Sequence, residues 1–78
     1  MILLVYDRIR ALREDHDMTQ KQMAKILNIS QRAYSHYETG ERSIPVEILS
    51  EIADFYKTSV DYLINRTNNI KSYPKISD

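Results

Sequence analysis

Gln31, Arg32, Ser35, His36 and Thr39 share one side of the segment 30–38 if that segment is helical. Their side chains are all capable of hydrogen bonding. A Gln amide can pair with adenine through two bonds and an Arg guanidinium with guanine, and each such pair discriminates by about 1–3 kcal/mol. A His ring can donate to or accept from a base edge, and a Ser hydroxyl can reach a base or a phosphate. Gln31, Arg32, Ser35 and His36 are therefore candidate base-reading residues. Arg42, just beyond them, is the foremost candidate for a phosphate contact.

Such a row needs a helix held firmly from behind. Ser30 can cap that helix, and Thr39-Gly40 can stop it, Gly40 being suited to a left-handed terminal position. Ala33, Tyr34 and Tyr37 lie on the opposite face, where they can pack on Met23, Ala24, Leu27 and Ile29. The preceding stretch, 19–27, reads as a short helix. Thr19 caps it in a capping-box arrangement with Gln22, and Met23 and Leu27 sit one turn apart. Asn28 falls where the chain must turn through a left-handed conformation, which Asn tolerates better than most non-glycine residues.

Two short helices, a tight turn, a small Ala24 at the crossing and an outward polar row describe a helix-turn-helix reader of the major groove. From Arg8 to Asn65 the chain resembles the Cro and phage-repressor (XRE-type) helix-turn-helix family. Thr19-Gln20, Ala24, Ser30-Gln31, Tyr37-Glu38-x-Gly40 and Val60-Asp61-Tyr62-Leu63 carry the resemblance. Asn28 departs from the family's frequent Gly. The resemblance implies an all-α, five-helix, lambda-repressor-like domain. It also implies that Gln20, at the start of the first motif helix, meets a phosphate together with free backbone N–H groups, and that Arg13 pairs with Glu38. Ser30, Thr39 and Arg42 complete the expected phosphate set.

Composition bounds this reading. The 78 residues allow one small domain with a limited core, so dimerisation would help its stability. Lys and Arg number 11, as do Asp and Glu, and the net charge of +0 argues against a nucleic-acid partner unless the charges are segregated. They are unevenly spread: Arg8, Arg10, Lys21, Lys25, Arg32 and Arg42 come early, whereas Glu47, Glu51, Asp54 and Asp61 come later. The absence of cysteine closes disulfide and thiolate-metal readings and suits the cytoplasm. The apolar run 2–5 is too short to span a membrane.

Ile2, Val5, Ile9 and Leu12 predict a first amphipathic helix ending near Glu14. Leu3, Leu4 and Tyr6 exceed its stripe, and either widen the buried face or form a dimer contact through residues 1–6. Asp15-His16-Asp17 are too close in sequence to converge on one metal ion. Pro45 suits the first turn of a fourth helix, with Val46, Leu49, Ile52, Ala53 and Tyr56 facing the core. Lys57-Thr58 breaks it, and Ser59 caps a short fifth helix anchored by Leu63. The domain is placed at 1–66 and a polar tail at 67–78, frayed or ordered at a dimer interface.

The expected function is that of a transcriptional regulator, a repressor, reading a palindromic operator in double-stranded DNA as a homodimer. No cofactor, metal or small-molecule effector domain is expected. An enzyme fits poorly: His16 and His36 lie on different elements, no nucleophile elbow is present, and the single Gly40 precludes a Gly-rich phosphate loop. The rival reading keeps the fold but uses it for protein contact, as an antitoxin or anti-repressor partner would.

Overall fold

In the computed structural model, which describes residues 6–72, five helices follow one another: α1 (Asp7–Asp15), α2 (Gln20–Ile26), α3 (Gln31–Thr39), α4 (Val46–Tyr56) and α5 (Val60–Leu63). The expected all-α, five-helix architecture is thus present. The start of the first helix differs from the expectation. Tyr6 is non-helical, with φ −91° and ψ 78°, so α1 begins at Asp7, whose carboxylate favours a helix N-terminus. The suggested contact through residues 1–6 falls mostly on residues 1–5, outside the described residues.

Local chemistry sets the other helix starts. Thr19 accepts from the backbone N–H of Gln22 while the Gln22 side chain accepts from the Thr19 N–H, completing the capping box. Ser30 accepts from the Ala33 N–H and Ser59 from the Tyr62 N–H. Pro45 is the N-cap of α4 rather than a residue of its first turn, and it makes no side-chain cap.

Left-handed residues follow all five helices: Asp17 (φ 55°), Asn28 (φ 59°), Gly40 (φ 81°), Lys57 (φ 56°) and Asn65 (φ 67°). After four of them the next N–H reaches a carbonyl five residues back: Met18 to Arg13, Ile29 to Ala24, Thr58 to Ala53 and Arg66 to Asp61. These bonds satisfy carbonyls that the helix end would leave open. Gly40 adopts the conformation without a Cβ clash; Lys57 must tolerate one.

The core joins Ile9 and Leu12 of α1, Met23, Ala24 and Leu27 around α2, Tyr34 of α3, Leu49, Ile52, Ala53 and Tyr56 of α4, and Leu63 of α5. Helix α2 packs on α3, α4 on α5, and α1 touches both α3 and α5. Three details depart from the expected stripe. Val46 is exposed, because an angular stripe does not say how far the core extends along the axis, and a first-turn side chain leans past its edge. Ile44 is buried from the loop between α3 and α4, where helical periodicity cannot reveal it. Tyr34 is the fully buried aromatic of α3, whereas Tyr37 is only partly buried against the core.

Arg8 ties the end of the domain to its beginning. One of its terminal nitrogens donates to the carbonyls of Tyr62 (2.9 Å) and Thr67, the other to Asn68 Oδ1 (2.7 Å), and the guanidinium lies 4.2 Å from the Tyr62 ring centroid. Residues 67 and 68, the first of the expected tail, are thereby held against α1.

Candidate nucleic-acid interface

Helix α3 presents its polar row because its other side is fastened to α1 and α2. Tyr34 fills the core, and Glu38, one turn later, turns an almost fully buried carboxylate toward α1. Arg13 donates from Nε to Glu38 Oε2 at 2.7 Å and from a terminal nitrogen to Oε1 at 3.2 Å. Its other terminal nitrogen donates to the Met18 carbonyl at 2.9 Å. Gln20 adds a bond from Nε2 to Glu38 Oε1 at 3.1 Å, drawing in the start of α2. The expected Arg13–Glu38 pair is present, and Gln20 joins it.

Burial pushes the Glu38 carboxyl toward protonation, but hydrogen bonds outweigh it and hold the group below its ordinary range, Arg13 contributing most. The bond to Glu38 likewise raises Arg13 above its usual value, keeping it charged. Tyr34 is pushed strongly upward, first by burial and then by the adjacent Glu38; its hydroxyl lies near the carboxylate without completing a hydrogen bond. Burial also pushes Tyr56 up to about 12. These hydroxyls stay neutral, so the cluster holds one charge of each sign.

On the outer side Gln31 and Arg32 are exposed, and their side chains make no hydrogen bond or ion pair among the described residues. Ser35 and His36 are half-buried. His36 is less available than its position on the helix implies: Nδ1 is enclosed without a hydrogen-bond partner, and Nε2 lies 3.7 Å from Glu41 Oε2. Arg42 is exposed with no side-chain partner among the described residues, and its backbone N–H bonds the His36 carbonyl at 3.3 Å.

The other candidate residues occupy both ends of this face. Ser30 uses a lone pair to cap α3, which leaves its hydroxyl proton free to donate outward. Thr39 has contacts from Oγ1 to the His36 carbonyl (3.3 Å) and to Glu41 Oε1 (3.0 Å). One proton serves one acceptor, and the shorter, charged contact is to Glu41. Neither Glu41 nor the Gln20–Glu38 bond was legible in the residue pattern, since both depend on which way a side chain bends. Among the described residues no cluster of three or more His, Cys, Asp or Glu could hold a metal ion. His16 instead donates from Nδ1 to the Leu12 carbonyl (2.8 Å), and its ring lies 4.9 Å from the Tyr56 ring. Among the same residues no helix is long and apolar enough to cross a membrane.

Fold and face together define a helix-turn-helix domain. Residues 9–63 match the helix-turn-helix family, and the chain belongs to it, in its XRE-type branch, a family of DNA-binding transcriptional regulators. Among curated proteins it is 34% identical over 62 residues to the uncharacterized HTH-type transcriptional regulator YobD of Bacillus subtilis, covering 80% of this chain and 55% of that protein. It is 37% identical over 62 residues to the cryptic phage CTXphi transcriptional repressor RstR of Vibrio cholerae, again 80% of this chain and 55% of the relative. Antitoxin PezA of Streptococcus pneumoniae is 34% identical over 56 residues, covering 72% of this chain and 35% of PezA. The chain thus spans about a third to just over half the length of these relatives. No solved structure matches it significantly.

Proposed function

We propose that this protein is a repressor that binds a palindromic DNA operator as a homodimer, with α3 in the major groove. The observation that carries this reading is the exposed, unengaged pair Gln31 and Arg32 at the first turn of α3, the end that enters the groove in this docking mode. Both side chains suit bidentate contacts to purines. Ser35 and His36 would read bases further along, while Ser30, Thr39, Arg42 and the N-terminus of α2 with Gln20 would grip phosphates on either side. The Gln20 side chain bonds Glu38, and its backbone N–H would meet a phosphate without surrendering that bond. Two half-sites about one helical turn apart would double the contacts of a small module. Relatives named as a transcriptional regulator and as a phage repressor support the reading.

Replacing Gln31 and Arg32 together by Ala tests it. The double variant should keep its helical content and assembly state and retain non-specific DNA binding, yet lose its preference for an operator selected from genomic fragments. A competition titration, cognate against scrambled duplex, measures that preference. Undiminished preference would remove these residues from base reading.

A second reading, protein contact in a toxin-antitoxin pair, draws on the similarity to Antitoxin PezA. It takes over if the wild-type protein shows no salt-dependent shift of any genomic fragment.

A further inference from the structure

Between Thr19 and Pro45 the chain carries only two carboxylates, Glu38 and Glu41. Glu38 is buried and neutralised by Arg13, which leaves Glu41 as the exposed acid of a segment that also bears Lys21, Lys25, Arg32 and Arg42. Its position is not neutral. One carboxylate oxygen accepts from the Thr39 hydroxyl at 3.0 Å, and the other lies 3.7 Å from His36 Nε2, an ion pair whenever the imidazole is protonated. Arg42, the next residue, is the unengaged cation of the same loop.

We infer that Glu41 is an electrostatic brake on DNA binding, occupying in the free protein the Thr39 hydroxyl and His36 imidazole that a DNA phosphate or base edge would otherwise take. The inference rests on the DNA-binding reading above and adds a residue that opposes it. A carboxylate offers these two groups an acceptor of the same charge sign as a phosphate oxygen, so DNA must displace it to engage them. Once displaced, it remains a negative charge beside the phosphates. In a water-like medium, one unit charge about 7 Å from a phosphate changes affinity by about threefold. This repulsion acts on every sequence alike. Combined with zero net charge, it weakens binding to random DNA and leaves the base contacts of α3 to decide where the protein stays.

The test compares wild type with Glu41→Gln and Glu41→Lys in titrations of random-sequence duplex and of the selected operator at several salt concentrations, with circular dichroism confirming the fold. Each step of charge should tighten binding to both duplexes by about threefold or more, and the Lys variant should steepen the salt dependence by about one counterion. Equal affinity across the three proteins overturns the brake while leaving the DNA reading intact. Weaker binding by the Gln variant overturns it too, by showing that the carboxylate holds His36 and Thr39 in a productive pose. If no variant binds either duplex at low salt, the DNA reading falls and the brake with it. Binding by the Lys and Gln variants where wild type fails supports both.

Discussion

Arg13 and Glu38, 25 positions apart, meet in a two-point ion pair that fixes α3 against α1 from its last turn. The pair is positional before it is energetic. Two planar groups joined by parallel bonds constrain rotation as well as distance, and the third bond from Gln20 ties the same carboxylate to α2. The outward angle of Gln31 and Arg32 is therefore referenced to two other helices.

Removing one partner should cost more than the pair is worth. Arg13→Ala leaves the Glu38 carboxylate buried without its cation and should lower unfolding free energy by about 3–5 kcal/mol. Arg13→Met combined with Glu38→Met should recover much of that loss, because no uncompensated charge remains. Urea melts of the two variants decide the matter, and equal destabilisation by both would mean that the pair itself is strongly stabilising.

Acid should weaken the domain through the same carboxyl. The folded state holds Glu38 below its ordinary 4.5, so the unfolded chain binds the proton first as pH falls. The stabilisation is complete above about that value and is lost progressively as pH drops toward and through the lower folded pKa. Melting temperatures from pH 7 to pH 3 should fall more steeply for wild type than for Glu38→Gln, which cannot titrate there. Parallel curves would place the acid sensitivity elsewhere.

Lys57 ends α4 in a left-handed conformation, φ 56°, that suits glycine better. Lys57→Gly should stabilise the domain by about 1 kcal/mol, since it relieves the Cβ contact that left-handed backbone imposes. Thermal melting checks it. A lower melting temperature would show that the greater freedom of glycine in the unfolded chain outweighs the relief.

Arg42→Ala should weaken binding to all DNA sequences alike and flatten the salt dependence by about one counterion, because a phosphate contact carries no base information. Its side chain makes no bond within the described residues, so the fold should not change. A changed preference among operators with an unchanged salt slope would assign Arg42 to base reading instead.

The residues alone determined the starts of α2, α3 and α5 and the two-helix motif, because these depend on interactions spanning a few positions. Thr19 with Gln22, Ser30 with Ala33 and Ser59 with Tyr62 each close a cap within three residues, and Asn28 and Gly40 mark turns by their own backbone preferences. The tertiary structure alone decided what depends on distance and on bending. It buried Ile44 from a loop, on which periodicity is silent, and left Val46 in solvent, although periodicity assigned Val46 to the core. It turned Gln20 toward Glu38, laid Arg8 across Tyr62 and residues 67–68, and set Glu41 against Thr39 and His36. Spacing along a helix gives the direction in which a side chain leaves the backbone. Which partner a long polar side chain then reaches is settled by charge and hydrogen bonding among groups that only folding brings together.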